Sequence, residues 1–497
     1  MDIYSVIQSL IQKATTRNLI DERDQIYVRN QLIALLKINH WDESHEAIDV
    51  EIPDLLEDIM GYAVETGLIR DLLDEKEIFS SKLMDIFMPR PSDLNRTFFE
   101  IYKENPKKAT SFFYELSKNS NYIQTKRIAK NISFQAETTY GELDITINLS
   151  KPEKDPKQIA MEKEMKVTDS NYPKCLLCME NEGYEGRIGY PARSNHRLIP
   201  MQLSDEQWFL QYSPYVYYNE HCILFSSEHR DMRISRETFS RLLSFVEQFP
   251  HYFAGSNADL PIVGGSILSH DHYQGGNYEF AMARAEEEYS FSLDAFPNVK
   301  AGTIKWPMSV IRLRGKNKEE LTDAAEFILN EWISYSDPSV DILSHTEDTR
   351  HNTITPISRY KNNEFELDLV LRNNRANDQH PLGIFHPHED VHHIKKENIG
   401  LIEVMGLAVL PARLKRELED VKNYLIGIDN KVSDHHVKWA NEISVRYDNE
   451  ITSESVEEIL RAEVGQKFLR VLMDAGVFKR DAVGQEAFRN FIHTLNP

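Results

Sequence analysis

Residues 264–276 read Gly-Gly-Ser-Ile-Leu-Ser-His-Asp-His-Tyr-Gln-Gly-Gly and contain a His-x-His-x-Gln pattern at His270, His272 and Gln274. In an extended strand, side chains at i, i+2 and i+4 lie on one face, so the pattern predicts that these three side chains point together into a cleft. The flanking glycines let a ligand's phosphate approach the main chain closely. A surface loop that carries two histidines by chance is the alternative interpretation.

A second pair of candidate ligands lies upstream. Cys175 and Cys178 form a Cys-x-x-Cys pattern, a spacing typical of two ligands in a tetrahedral zinc site. Between the two patterns, residues 216–229 predict one or two apolar strands that end in a polar turn with His229. Two buried thiols without a metal are the alternative for the cysteines.

Composition limits the classes of function. The chain carries 57 Lys and Arg against 79 Asp and Glu, a net charge of −22, which argues against nonspecific binding to DNA or to an anionic membrane. Three cysteines form no disulfide framework and fit a reducing compartment. We find neither a signal-peptide pattern nor an apolar run of about 18 residues. We therefore expect a soluble, cytoplasmic protein with no nucleic-acid or membrane partner.

The hydrophobic pattern changes along the 497 residues. In residues 1–125, apolar side chains recur at three- and four-residue steps, which predicts a largely helical region. Residues 134–149 alternate apolar and polar side chains around a Tyr-Gly-Glu turn, which predicts a hairpin. The charged, proline-bearing residues 150–157 predict a loop. Further predictions are helices at 235–248 and 399–426 and strands at 309–313, 353–357 and 365–372.

The cysteine pair, His229 and His270 occur in an order that resembles the zinc-ligand set of the galactose-1-phosphate uridylyltransferases, members of the histidine-triad superfamily. The family's His-Pro-His-Gly-Gln motif matches residues 270–274, and its Ser-Pro-Asp-His turn matches residues 226–229, here Ser-Ser-Glu-His. The whole set resembles the second, more divergent class of these enzymes. Proline and glycine of the motif are replaced here, but the spacing of the two imidazoles and the amide is kept.

The resemblance implies an α+β fold with two histidine-triad-like halves, at residues 126–299 and 300–497, each an antiparallel sheet with helices. The largely helical region at 1–125 precedes them. It also implies a homodimer and a structural zinc ion, whose ligands are Cys175, Cys178, His229 and His270.

The resemblance implies a nucleotidyltransferase that moves UMP from UDP-glucose to galactose 1-phosphate in galactose catabolism, the Leloir pathway. His272 would attack the α-phosphorus, release glucose 1-phosphate and hold UMP as a phosphoramidate. A neutral imidazole suits this double displacement because it attacks phosphorus and then leaves easily. Gln274 would donate a hydrogen bond to a non-bridging phosphoryl oxygen.

Six further residues are candidates for substrate binding. Asn219 and Glu220 resemble the family's ribose-binding pair, although Glu220 as a solvated strand-end charge is the alternative. Asn257 lies upstream of the histidines, where the family has a phosphate-binding asparagine. Glu403 lies where the family's Tyr-Glu-Met segment contacts the hexose. Ser266 and Ser269 could add donors to phosphate, with local backbone bonding as the alternative for Ser269.

Other polar residues have weaker interpretations. Arg127, Arg187, Arg193 and Arg197 are candidates to offset the charge of a diphosphate. The histidine-dense residues 385–393 either hold a second metal or form a solvent-facing, non-ligating cluster, and we favour the second reading. His221 lies outside the matched pattern and is expected to be a bystander.

Two other functions fit the same residues. A nucleotide-sugar phosphorylase or dinucleotide hydrolase would form the same intermediate on His272 and pass the nucleotidyl group to phosphate or water. A zinc-stabilised nucleotide-binding module would bind the nucleotide without turnover.

Overall fold

The structure is a computed structural model that describes residues 2–42, 44–151, 172–428 and 431–496. Most of the predicted loop at 150–157 lies outside the described residues. No helix of the described chain is long and apolar enough to cross a membrane.

Helices dominate the first 125 residues, as the periodicity predicts. Their apolar stripes pack into one core, and Asn105 caps the sixth helix by accepting hydrogen bonds from the N–H groups of Lys107 and Lys108. A side-chain acceptor at this position satisfies amides that have no partner inside the helix. The helices of this part are Ile3–Thr16, Gln25–Leu35, Ile52–Glu65, Leu73–Asp85, Pro91–Glu104, Pro106–Asn119 and Thr125–Ile128.

The remaining helices lie among and after the strands, and the helix predicted at 235–248 is confirmed. They are Arg236–Gln248, Ala281–Arg284, Lys318–Ser334, Leu401–Val404, Leu414–Leu425, Asp434–Tyr447, Val456–Ala475 and Ala482–Thr494. Short 3-10 turns are Glu22–Asp24, Met179–Asn181, Pro338–Val340, Glu389–Val391 and Asp448–Glu450.

Strands occupy the middle of the chain, and the predicted hairpin and the three predicted later strands are confirmed. In chain order they are β1 Ile132–Thr138, β2 Gly141–Ile147, β3 Ile199–Leu203, β4 Glu206–Tyr212, β5 Cys222–Ser226, β6 Phe253–Gly255, β7 His272–Gly276, β8 Glu287–Phe291, β9 Lys300–Ile304, β10 Val310–Gly315, β11 His345–Thr346, β12 Thr349–Arg350, β13 Asn352–Lys361, β14 Glu364–Asn373 and β15 Leu407–Leu410. The α+β class is therefore confirmed.

The central feature is a ten-stranded sheet with the order β3-β4-β5-β7-β6-β13-β14-β10-β9-β8, in which all neighbours are antiparallel. The two sheets expected for the two halves are joined, because β6 pairs with β13 through residues 253–255 and 357–359. The strand that carries His272 lies inside this sheet, between β5 and β6. Hydrogen bonds on both edges hold it in register.

The long helix predicted at 399–426 is wrong. Leu401–Val404 and Leu414–Leu425 are helical, but Leu407–Leu410 forms β15, which adds in parallel to the β1–β2 hairpin. Gly406 separates the two conformations with a φ of 107°, which a helix does not tolerate and glycine adopts readily. The apolar run between the two helices is buried as a strand, and its periodicity does not distinguish strand from helix.

Candidate active site and metal centre

Four sulfur and nitrogen atoms converge beside the start of β7. The Sγ atom of Cys175 lies 3.2 Å from Nδ1 of His270, and Sγ of Cys178 lies 3.2 Å from Nδ1 of His229. The two sulfur atoms are 3.5 Å apart, and all four ligand atoms lie within 4.8 Å of one another. A tetrahedral zinc ion would separate such ligands by about 3.3–3.8 Å. The donor set and its spacing therefore fit a metal ion.

Hydrogen bonds to main-chain carbonyls orient these ligands. Asn181 Nδ2 donates to the carbonyl oxygens of both Cys175 and Cys178, at 2.8 Å each, and so fixes the Cys-x-x-Cys turn. His270 Nε2–H donates to the carbonyl of Ser226 at 2.9 Å. A carbonyl only accepts, so the proton lies on Nε2 and the lone pair of Nδ1 faces the thiols.

His272 is the first residue of β7 and is 7% exposed. Its Nδ1–H donates to the carbonyl of His270 at 2.8 Å, which leaves the lone pair on Nε2. Burial lowers the pKa of His272 to about 4, so the imidazole is neutral near pH 7. A neutral, oriented imidazole with a free lone pair is a competent nucleophile towards phosphorus.

The residues that depart from the family motif face the other side of the sheet. Asp271 contacts the guanidinium of Arg230 at 3.3 Å, and the ring of Tyr273 stacks on Trp208 with centroids 4.6 Å apart. Arg241 Nη1 donates to the Tyr273 hydroxyl at 3.3 Å. Strand alternation thus puts these two substitutions behind β7, away from the imidazole of His272.

Gln274 has a hydrogen-bond partner outside the His-x-His-x-Gln motif. His221 Nε2 lies 3.1 Å from Oε1 of Gln274, and the His221 side chain is 3% exposed. Its Nδ1 is buried without a hydrogen-bond partner, and burial lowers the pKa of His221 to about 4. The neutral ring donates from Nε2 to the amide oxygen, which leaves the Gln274 NH₂ group free. This differs from the bystander expected from the sequence, whose only local signal was a histidine at the start of an apolar strand.

Asn257 and Glu403 come together on a neighbouring segment. Asn257 Oδ1 accepts a hydrogen bond from the Leu401 N–H at 2.8 Å, and a Cβ placed on Gly400 would lie 3.1 Å from the same oxygen and 3.5 Å from Glu403 Oε2. Lys395 Nζ donates to Glu403 at 3.0 Å. The two candidates, far apart in sequence, therefore flank one backbone position.

Tyr217 links this segment to the β7 residues. Its ring lies 5.6 Å from that of His221, centroid to centroid. Burial and the nearby charge of Glu403 raise the pKa of the Tyr217 hydroxyl to about 12. Gln274, His221 and Tyr217 thus form a continuous set of neighbours, and the charge of Glu403 is close enough to act on Tyr217.

The other four candidates for substrate binding differ in how far they are buried and in their hydrogen-bond partners. Glu220 is buried in a left-handed conformation with φ of 55°, and its carboxylate accepts a hydrogen bond from the Tyr252 hydroxyl. Asn219 is exposed and donates to a main-chain carbonyl after β7 at 3.2 Å. Ser266 and Ser269 are exposed in the loop before β7. Glu220 is therefore not the solvated strand-end charge considered as its alternative.

Two of the four candidate arginines, Arg127 and Arg193, line a cavity of about 570 Å³ between the first helices and the 189–195 segment. Tyr215 lines the same cavity, and Arg127 Nη1 donates to its hydroxyl at 3.3 Å. Arg197 instead donates to main-chain carbonyls and a carboxylate outside the cavity. Arg187 lies on the face of an aromatic ring.

The histidine-dense residues 385–393 contain no group of converging metal ligands within the described ranges. His388 stacks on His380, with centroids 4.2 Å apart. His386 and His393 are buried, so the run is only partly solvent-facing.

Comparisons with known proteins agree with this geometry. The model of the galactose-1-phosphate uridyl transferase N-terminal domain matches residues 18–231, and that of the C-terminal domain matches residues 245–441. The chain belongs to the galactose-1-phosphate uridyl transferase family. This membership confirms the resemblance carried by the cysteine and histidine motifs.

Similar family proteins match over their full length. A galactose-1-phosphate uridylyltransferase of Clostridium perfringens (strain SM101 / Type A) is 51% identical over 498 residues, which cover 100% of this chain and 99% of the relative. The protein of the same name from Fusobacterium nucleatum is 53% identical over 507 residues, with the same coverage. Among solved structures, a yeast Ap4A phosphorylase matches with 12% identity and a TM-score of 0.32, over 60% of this chain and 89% of that one.

Proposed function

We propose that this protein is a UDP-glucose–hexose-1-phosphate uridylyltransferase, a nucleotidyltransferase of galactose catabolism. The observation that carries the proposal is the buried His272, whose Nδ1–H is held by the His270 carbonyl and whose Nε2 lone pair is free. The full-length similarity to galactose-1-phosphate uridylyltransferases supports the choice of substrates, UDP-glucose and galactose 1-phosphate.

The reaction proceeds as two displacements at one phosphorus. Nε2 of His272 attacks the α-phosphorus of UDP-glucose, a P–N bond forms, and the P–O bond to glucose 1-phosphate breaks. A phosphate oxygen of galactose 1-phosphate then attacks the same phosphorus, the P–N bond breaks, and UDP-galactose leaves. The Nδ1–H hydrogen bond to a carbonyl stabilises the positive charge that the ring acquires while uridylylated.

Gln274 stabilises the charge that develops on the phosphoryl oxygens. Its amide oxygen accepts from His221, so its NH₂ group is the end offered to phosphate. A donor held in place before the reaction acts on developing charge without reorganisation.

We assign zinc to Cys175, Cys178, His229 and His270, because two thiolates and two imidazoles at tetrahedral spacing favour this ion. When bound, zinc would fasten the Cys-x-x-Cys turn to His270, two residues before His272, and supply no Lewis-acid chemistry, since protein ligands fill all four positions. The imidazole of His272 is then held by the main chain of a ligand residue.

The substrate is proposed to lie between β7 and the Gly400 segment, with its nucleoside towards the cavity of Arg127 and Arg193. This cavity has the volume of a small-ligand site, and Arg127 in its wall is already paired with Glu77 at 2.7 Å. Tyr215 lines the cavity and Tyr217 lies beside His221, two residues further along the chain. Their Cα atoms are therefore at most about 7 Å apart, so one substrate would span from the cavity to β7.

The remaining substrate contacts are assigned by chemistry. Asn257, Ser266 and Ser269 would donate to phosphate, and Glu403 would accept from hexose hydroxyls. Asn219 is kept as a ribose ligand. Glu220 would reach ribose only if it left the Tyr252 hydroxyl, so its assignment is the one least supported by these contacts.

The test is intact-protein mass spectrometry after mixing with UDP-glucose at mildly alkaline pH, where a phosphoramidate survives. We expect a UMP-sized adduct on the wild type and on His493→Ala, an exposed-histidine control, but not on His272→Ala. Galactose 1-phosphate should discharge the adduct.

Each rival predicts a different result in the same experiment. Discharge by inorganic phosphate or water, with no discharge by galactose 1-phosphate, would indicate a phosphorylase or hydrolase. UDP-glucose binding without any adduct would indicate a binding module. Either result would overturn the proposal.

Three expectations from the sequence stay predictions. They are a homodimer, a cytoplasmic location, and the division of the chain into residues 1–125, 126–299 and 300–497. Size-exclusion chromatography with light scattering would test the first.

A further inference from the structure

A second group of metal-binding side chains lies far from β7 in the sequence. Glu417 is in the first turn of helix Leu414–Leu425, and His435 and His436 are in the first turn of helix Asp434–Tyr447. Oε2 of Glu417 lies 2.9 Å from Nε2 of His436 and 3.5 Å from Nε2 of His435. The three ligand atoms lie within 4.8 Å of one another.

These distances are those of ligands around one ion. Oxygen and nitrogen atoms bound to a tetrahedral zinc ion are separated by about 3.3 Å. The side chains of Glu417 and His436 are 8% and 0% exposed, whereas that of His435 is 50% exposed. The group is therefore open to solvent on one side, where an ion could enter and keep a water ligand.

Unpaired ring nitrogens beside the group supply a second observation. Nε2 of His393 is buried without a hydrogen-bond partner, and so is Nδ1 of His436. The two rings lie edge to face with centroids 5.3 Å apart. Buried polar atoms without partners are uncommon because they lose their hydration without compensation. A third imidazole, that of His393, thus lies beside the group of Glu417, His435 and His436.

We propose that Glu417, His435 and His436 bind a divalent transition-metal ion, at a site separate from the Cys/His centre. Imidazole and carboxylate donors suit zinc and similar ions, whereas Ca²⁺ and Mg²⁺ prefer oxygen ligands alone. The ion would cross-link the beginnings of two C-terminal helices. His393 lies beside this site, with its ring 5.3 Å from that of His436, but is not one of the three ligands.

Arg413 offers an alternative explanation of the group. Its guanidinium contacts Oε2 of Glu417 and donates to the His393 carbonyl at 3.1 Å. Arg413, Glu417 and His436 therefore form a hydrogen-bonded network without an ion, although Nδ1 of His436 stays unpaired in it. Because the guanidinium and an ion would compete for one oxygen, the metal site predicts that Arg413→Gln binds the ion more tightly than the wild type.

The experiment measures zinc in the purified full-length protein after equilibration with Zn²⁺ and removal of loosely bound ions. We expect about two ions per chain in the wild type and in His493→Ala, and about one in His435→Ala. His435 is half exposed, so its removal should leave the fold and uridylyl transfer intact. Cys178→Ser should lose the other ion.

Co²⁺ distinguishes the two sites by their spectra. The Cys/His centre gives a thiolate-to-cobalt charge-transfer band, whereas a Glu/His site gives only weak visible bands. We expect His435→Ala to weaken Co²⁺ binding by more than about tenfold at the Glu417, His435 and His436 site only. Arg413→Gln should strengthen Co²⁺ binding at the same site. Zinc binding that Cys178→Ser abolishes completely, or Co²⁺ binding that His435→Ala leaves unchanged, would overturn the proposal. Neither result depends on the proposed transferase activity.

Discussion

Replacing His221 by phenylalanine should slow uridylyl transfer without changing the nucleophile. The ring of His221 is buried between those of Tyr217 and Tyr218, with centroid distances of 5.6 and 4.5 Å, and phenylalanine keeps a planar ring in this aromatic site, although a larger one. The substitution removes the Nε2 donor that lies 3.1 Å from Oε1 of Gln274. The amide oxygen then loses its partner, and the amide no longer has a preferred orientation.

The upper limit of the effect follows from this hydrogen bond, which is buried at His221 and partly buried at Gln274. An unsatisfied buried acceptor costs about 1–3 kcal/mol. If that cost falls on the transition state, at about 1.4 kcal/mol for each tenfold change, the rate of uridylylation falls by about 5- to 150-fold. The affinity for UDP-glucose should change less, because the Gln274 amide acts mainly on charge that develops during the reaction.

The assay is single-turnover release of glucose 1-phosphate from UDP-glucose, measured by rapid quench. Thermal unfolding of each variant controls for loss of structure, and His221→Gln, which keeps an N–H donor, should recover part of the rate. A double-mutant cycle with Gln274→Ala isolates the pair. In the Gln274→Ala background, His221→Phe should change the rate by less than about twofold.

Two results would contradict a role for His221 in orienting the Gln274 amide. One is a wild-type rate in a folded His221→Phe protein. The other is full additivity of His221→Phe and Gln274→Ala, which would mean that His221 does not act through the amide. Either result would return His221 to the bystander role expected from the sequence.

Three further predictions concern stability. Cys178→Ser should lower the zinc content by about one ion per chain and lower the melting temperature, as measured by elemental analysis and calorimetry. Gly465→Ala should destabilise the fold by about 1–3 kcal/mol in urea unfolding, because its Cβ would lie 2.2 Å from that of Ala136. Gly61→Ala, at a helical glycine with no atom within 4 Å of the new Cβ, should be neutral or stabilising, and equal effects of the two would contradict the packing argument. Burial lowers the pKa of His251 to about 4, below its unfolded value of about 6.5, so the unfolded chain binds more protons between these values. The free energy of unfolding should therefore fall as pH falls through this window, and His251→Gln should flatten that slope.

Local sequence was sufficient to predict the structure where all the residues concerned lie within one strand, turn or hairpin. The alternation of His270, His272 and Gln274 against Asp271 and Tyr273 follows from the two-residue period of a strand. The Cys-x-x-Cys turn and the β1–β2 hairpin follow in the same way from short-range spacing and turn residues. The family's motifs could be matched to residues 226–229 and 270–274 because each motif is a short, continuous stretch of the chain. The match then indicated the chemistry.

Periodicity failed where tertiary contacts chose the conformation. Residues 399–426 are apolar enough for a long helix, but Leu407–Leu410 completes the small sheet by pairing with β2. The joining of two expected sheets at β6 and β13 is likewise a contact between distant strands. Neither strand pairing can be predicted from a short window of sequence, because the paired residues are far apart in the chain.

Short motifs were enough to propose His272 as the nucleophile, Gln274 as its neighbouring amide and the zinc-ligand set, since the backbone sets the geometry within such motifs. Only the tertiary structure decided that His221 bonds to Gln274 across 53 residues, and that Glu417 meets His435 and His436 between two helices. The physical reason is that side chains on separate elements meet only after sheet register and helix packing are set. Those depend on the burial of the whole core.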